Sequence, residues 1–117
     1  MELIKELPEI FTKKGKKYIQ IGKNDSAYLY EVNDIEPDKN SHTYFEVFFR
    51  RIEKARTYPN GNRVPKRVIY PWDEAFGDWA YCIHRGNDVS TARRIATYRF
   101  NYMDEYAKEQ KQNRQSA

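Results

Sequence analysis

Residues 88–107 read DVSTARRIATYRFNYMDEYA. Within them Val89, Ala92, Ala96, Phe100, Met103 and Ala107 follow one another at steps of three or four, the spacing that gathers side chains on one face of an α-helix. The stripe is apolar throughout, so it predicts a long amphipathic helix with one buried side. Asn87 or Asp88 supplies a side-chain oxygen for the unpaired N–H groups of its first turn. The helix is expected to fade near Lys111, because Gln112 to Ala117 offers nothing to pack. That gives a single domain over residues 1–111 and a disordered polar tail over 112–117. Tyr98, Tyr102 and Tyr106, spaced i, i+4, flank the stripe; they widen the buried face or form a ridge facing a partner.

Before Asp88 the period is two instead of 3.6. Tyr18-Ile19-Gln20-Ile21 and Ala27-Tyr28-Leu29-Tyr30-Glu31-Val32 are β-branched and aromatic runs separated by the turn formers Gly22-Lys23-Asn24-Asp25, which reads as a hairpin. A loop from Ile35 to Ser41 leads to a third run, Thr43 to Ile52. Asn60-Gly61 suits the positive φ angles of a type I′ turn. A strand from Arg63 to Tyr70 follows, with Pro65 marking an edge or a bulge. Gly77 to His84 reads as a fifth strand, central or partly buried. Strands followed by one long helix predict an α+β architecture: an antiparallel sheet of four to five strands with the C-terminal helix across one face.

Alternation places Ile19, Ile21, Leu29, Phe45, Val47, Phe49 and Ile69 on one side of that sheet. Tyr18, Tyr28, Tyr30, Tyr44, Phe48 and Tyr70 fall largely on the other. Two readings of this tyrosine-rich side stand. Rings beside cationic side chains form a platform on which single-stranded nucleic acid stacks. Alternatively, the tyrosines pack against a second subunit, against the N-terminal segment or against each other. Tyr18, Tyr28, Tyr30, Tyr44 and Tyr70 are therefore candidates for a partner or stacking face.

A chain of 117 residues makes one core of ordinary size, and 39% hydrophobic with 15% aromatic residues is too rich for wholesale disorder. A single cysteine, Cys82, leaves no intramolecular disulfide, and with two histidines the inventory for zinc is thin. The first residues carry acids at positions 2, 6 and 9 and no apolar run. The expectation is a soluble cytoplasmic protein without a membrane segment, a cofactor or a small-molecule ligand.

The formal charge of +4 is unevenly distributed. Arg50, Arg51, Lys54, Arg56, Arg63, Lys66 and Arg67 sit close together with only Glu53 opposing them, mostly on one predicted hairpin. They are candidate contacts to nucleic acid or another anion. Arg85, Arg93 and Arg94 crowd the start of the long helix, whose free N–H groups favour negative charge, and form a second candidate anion site. The bland alternative for both groups is a solvated surface.

Catalytic patterns are poorer. Cys82 and His84 share a face of the fifth strand, but no third orienting group is assignable and Trp79, Tyr81 and Ile83 nearby point to packing, so Cys82 reads as structural. Asp73, Glu74 and Asp78 resemble the carboxylates of a magnesium site, although acids on a turn usually cap or are solvated. The chain reads as a non-enzyme.

The stretch Tyr70-Pro71-Trp72-Asp73-Glu74-Ala75-Phe76-Gly77-Asp78-Trp79-Ala80-Tyr81, with Tyr44-Phe45-Glu46-Val47-Phe48 before it, resembles small proteins carried by phages and mobile elements. In these an aromatic-Glu-Val-Phe strand precedes a Phe-Gly-x-Trp-Ala-aromatic segment. The resemblance covers about the middle third of the chain and implies an accessory role, with no catalytic residues to carry over. The expected function is a non-enzymatic accessory module acting through a protein partner or self-association. The alternative is single-stranded or nonspecific nucleic-acid binding by the basic hairpin and the tyrosine face.

Overall fold

A tight hairpin opens the regular structure of the computed structural model, which describes residues 4–116 and the side chains of 4–114. Strand β1 (Ile10–Lys13) pairs antiparallel with β2 (Lys16–Lys23), Lys13 lying opposite Lys16. Between them Lys14 and Gly15 have φ of +49° and +78°. Positive φ at both central positions is the type I′ geometry, whose twist matches that of paired strands, and glycine adopts it without a Cβ clash.

Next come β3 (Ala27–Asp34) and β4 (Tyr44–Phe49), then four two-residue strands: β5 (Ile52–Glu53), β6 (Arg56–Thr57), β7 (Arg63–Val64) and β8 (Arg67–Val68). A 3-10 turn over Asp73–Ala75 leads to β9 (Ala80–Ile83) and the helix α1 (Val89–Ser116). The main sheet has the order β1-β2-β3-β4-β9 and is antiparallel throughout. The α+β architecture of five antiparallel strands and one long C-terminal helix is the one read from the periodicities.

Several details differ from the sequence reading, each for a local reason. The run Arg63 to Tyr70 does not join the main sheet; β5 pairs with β8 and β6 with β7, making a projecting two-stranded arm. Pro65, which has no N–H to donate, sits where the pairing is interrupted. At the arm's tip the turn is not type I′. Pro59 holds a negative φ, Gly61 N–H donates to the Tyr58 carbonyl at 2.9 Å, and Gly61 alone has positive φ (+88°). This is a type I turn followed by a left-handed glycine, the usual three-residue hairpin loop. The first strand, β1, escaped the sequence reading, and β9 is partly buried, as one of the two expectations had it, but stands at the sheet's edge and not at its centre. Finally, α1 continues to Ser116 instead of ending near Lys111. Backbone bonds within a helix need no packing partner once nucleated, and Gln112, Arg114 and Gln115 are good helix formers, so residues 112–116 extend it. Ala117 lies outside the described residues.

Both faces of the sheet are covered. On one, Leu29, Phe45, Val47 and Ile83 meet Ala92, Ala96 and Met103 of α1. Asp88 caps the helix, its carboxylate accepting from Thr91 N–H at 3.1 Å. The Phe100 ring reaches the sheet beside Gly22, where an added Cβ would lie 3.2 Å from it. Gly22 follows a bulge that leaves Ile21 without a partner on β3. On the other face, Tyr18, Tyr28, Tyr30, Val32 and Phe48 pack against Val68, Ala75 and Trp79 with Ile4, Leu7 and Phe11 beside them. The second cover therefore consists of an N-terminal strap, residues 4–9, and the irregular segment 68–79. Ile69, expected on the helix side, belongs to this side. The result is three layers, with the sheet in the middle.

Candidate interaction surfaces

The tyrosine-rich face is closed, which corrects the reading of it as an open platform. Tyr18, Tyr28 and Tyr30 are buried and Tyr44 and Tyr70 half-buried. Tyr28, Tyr30 and Phe48 form a triangle of near-parallel rings, each centroid 5.6 to 6.1 Å from the other two. Both tyrosine hydroxyls bond to the strap. The Tyr30 hydroxyl donates to the Pro8 carbonyl at 2.7 Å and accepts from Gln20 Nε2 at 3.1 Å. The Tyr28 hydroxyl donates to Glu6, whose carboxylate also takes Arg50 Nε at 2.9 Å and lies 3.8 Å from Lys23 Nζ. This cationic clamp holds the Glu6 carboxyl well below its ordinary value, at about 2, with the Arg50 hydrogen bond as the largest cause. Arg50, a candidate anion contact from the sequence, is thus already occupied by the chain's own carboxylate.

A polar cluster sits on the same face toward its other end. Glu46 is 5% exposed and accepts from the Tyr70 hydroxyl. Desolvation pushes its carboxyl above the ordinary value against the opposing pull of Tyr70 and Lys13. Lys13 Nζ lies 4.1 Å from the centre of the Tyr70 ring, and Tyr18 stacks on Phe11 at 4.6 Å. Burial raises the hydroxyls of Tyr18, Tyr44 and Tyr70 as well. A buried carboxyl ringed by neutral phenols is a donor-acceptor network that fixes β4 to the segment after β8. Cys82 lies across from Glu46 in the β4–β9 register and its thiol is exposed and pushed up, by desolvation first and then by that carboxylate. A raised thiol carries less thiolate at neutral pH. His84 stacks on Tyr44 at 5.4 Å.

The second candidate anion site is partly engaged by the chain's own groups. At the start of α1 the Asp88 carboxylate takes one of the free N–H groups, that of Thr91, and Arg85 donates to the His84 carbonyl at 2.7 Å. Arg93 and Arg94 are exposed on the helix, Arg94 touching Thr91 Oγ1 at 3.4 Å. Asp73, Glu74 and Asp78 lie exposed around the 3-10 turn, and among the described residues no group of His, Cys, Asp or Glu is placed to hold a metal ion.

Two surfaces stay open. The arm keeps Arg51, Lys54, Arg56, Arg63, Lys66 and Arg67 exposed. Arg56 and Arg67 both pair with Glu53 between them. Arg51 stacks on Trp79 at 4.6 Å and Arg56 on Tyr58 at 5.6 Å. The structure adds one cation that sequence distance hides: Lys5 of the strap bridges to Arg67 as a parallel neighbour. Trp72, 49% exposed, stands edge-on to Trp79 at 5.5 Å. The Trp79 indole N–H is buried without an acceptor.

The other open surface is the outer side of α1. Tyr98, Tyr102 and Tyr106 do not widen the core; they are 75%, 53% and 43% exposed. Successive i, i+4 positions drift by about 40° around a helix, and here the drift brings the row from the open Tyr98 toward the sheet at Tyr106, whose ring lies 6.3 Å from that of Phe49. Tyr102 and Tyr106 stack at 6.3 Å, and Arg99 lies over Tyr81 of the edge strand at 4.1 Å. The row borders shallow grooves lined by Ile95, Arg99 and Tyr102 and by Tyr81, Met103 and Tyr106. No helix of the described residues is long and apolar enough to cross a membrane.

Fold and surfaces together define an α+β domain with a closed sheet and two open, aromatic-bearing surfaces of different character. Comparison with family models, with curated proteins and with solved structures finds no match to this chain.

Proposed function

We propose that the protein is a non-enzymatic accessory binding module that works through protein contacts, using the tyrosine ridge of α1, and that its partner there is a second copy of itself. The observation that carries this reading is the exposure of three large rings in one row. Aromatic side chains are enriched at interface centres because they bury much area at little entropic cost. Charge selects the occupant. Arg94 lies one turn before Tyr98, while Glu105 and Glu109 continue the same row past Tyr102 and Tyr106, all exposed. A copy related by a two-fold axis near Tyr102 runs antiparallel, so the basic start of each ridge faces the acidic end of the other. That is the self-complementarity an isologous interface requires.

Sedimentation velocity across a micromolar concentration series tests it. The expected result is a dimer that Tyr102→Glu converts to a monomer with an unchanged far-UV circular dichroism spectrum and a thermal midpoint that no longer rises with concentration. Arg94→Glu alone and Glu109→Arg alone weaken the dimer, and the two together in one chain restore it. A chain that stays monomeric at the highest concentration overturns self-association. A dimer indifferent to Tyr102→Glu overturns the ridge as its site.

A further inference from the structure

We infer that the basic arm is a binding site for single-stranded nucleic acid, with the strap supplying part of it. The site is distinct from the helix ridge and stands on separate observations. Between the arm and the strap runs an open groove of about 740 Å³. Leu7, Val68 and Ile69 give it an apolar side, Trp72 flanks it, and Arg56 and Arg67 line it around Glu53. This combination is what an unpaired nucleotide needs: a ring to stack a base against, and cations to follow the phosphates.

Charge fits the same partner. Apart from Glu53, every charged side chain along the arm is basic, and Lys5 extends the row across the groove to the strap. Arg63 and Lys66 make no ion pair among the described residues, so they are free to meet phosphate. Glu53 aligns Arg56 and Arg67 from one side, as a carboxylate behind a guanidinium does at phosphate sites.

Single strands are favoured over duplexes by the aromatic component. A base in a duplex is already stacked on its neighbours, and Trp72 gains nothing from it. An exposed indole beside arginines stacks a base that is unpaired. The edge-on contact with Trp79 braces the Trp72 ring, and Arg51 lies over the Trp79 ring. The platform read from the sheet tyrosines is therefore relocated to the arm. Tyr58, exposed at the tip against Arg56, gives a second ring along the same path.

The probes are fluorescein-labelled 20-mers of oligo-dT, oligo-U and a DNA duplex, titrated by anisotropy at several salt concentrations, with tryptophan emission read in parallel. Single strands are expected to bind with an affinity that falls with salt by a slope of about −0.7 per phosphate contacted. They should also quench the exposed indole. Lys66→Glu with Lys5→Glu should weaken binding by about tenfold or more and flatten the salt slope. Trp72→Phe keeps a stacking ring and should bind, but without the quench; Trp72→Ala should lose about tenfold. Equal affinity for duplex and single strand, with no quench, overturns the single-strand assignment. Binding indifferent to Lys5→Glu and Lys66→Glu overturns the site. A polyglutamate chain that competes as well as oligo-dT assigns the arm to an acidic protein instead. Because these residues are exposed, thermal unfolding of each variant should match the parent.

Discussion

The two faces of the sheet are both buried, yet by unlike means. On the aliphatic face a single regular element does the covering, and its contacts are apolar: Ala92, Ala96 and Met103 against Leu29, Phe45 and Val47. On the tyrosine face two irregular segments far apart in the chain, residues 4–9 and 68–79, do it, and each is tied down through a phenol. Tyr28 and Tyr30 hold the strap, and Tyr70 reaches Glu46. A helix brings its own backbone hydrogen bonds and needs only an apolar stripe. A strap brings none, so the surface beneath it must offer polar tips as well as rings. A face rich in tyrosine can thus be a core that expects an irregular cover, as well as a surface that expects a ligand.

The largest test asks whether the faces count equally. Phe45 and Phe48 are fully buried, neighbours but for two residues on β4, and point to opposite sides. Phe45→Ala and Phe48→Ala should each cost about 3–5 kcal/mol in urea unfolding. A Phe48→Ala cost below about 1 kcal/mol would show the strap side to be a loose lid instead of a core. Next in size is Tyr30→Phe, which strands the Pro8 carbonyl and Gln20 and should cost about 1–2 kcal/mol. It should also expose the strap to limited proteolysis while leaving α1 protected in hydrogen exchange.

Glu6→Gln weakens the clamp on Arg50 and Lys23. The pair is partly exposed, so solvent screening reduces the cost to about 1 kcal/mol at neutral pH. Its pH dependence has a definite sign. Folding lowers the Glu6 pKa from about 4.5 to about 2, so its contribution is complete above 4.5 and is lost as pH falls toward 2. Asp34, Asp88 and Asp104 are lowered too and add to the same acid-side loss. Against the parent, Glu6→Gln should flatten this limb without abolishing it.

The smallest expected effect runs the other way. Burial raises the Glu46 pKa, so the folded state binds this proton more tightly than the unfolded chain. Its contribution is complete below the ordinary carboxyl value and is lost as pH rises through the raised one. Glu46→Gln should remove that loss, leaving stability less dependent on pH just above 4.5, in a denaturation series at constant ionic strength. If both variants change the same limb in the same direction, the contrast between an ion-paired strap and a neutral phenol network fails.

Much of this was legible in the sequence because it is a matter of local period. The step of three or four from Val89 onward identified α1 and its buried stripe, and alternation in Tyr28-Leu29-Tyr30 and Phe45-Glu46-Val47-Phe48 separated the two faces correctly. Ile69 was misplaced because it belongs to a segment that leaves the sheet after the arm. Asn60-Gly61 suggested type I′, but Pro59 before it decides the turn, and the true type I′ pair is Lys14-Gly15. The basic residues were visible as a block, whereas their availability was not. Arg50 is taken by Glu6, 44 residues away, and Lys5 joins the arm from the strap.

What the chain determined by itself, then, is the set of layers: side-chain periodicity follows from backbone geometry, which acts within a few residues. Only the tertiary structure decided what lies on top of the tyrosines and which cations and rings face water. Those outcomes depend on bonds between a strap and residues 22 positions or more away. No local pattern encodes such a bond, because its partners become neighbours only after the sheet has formed.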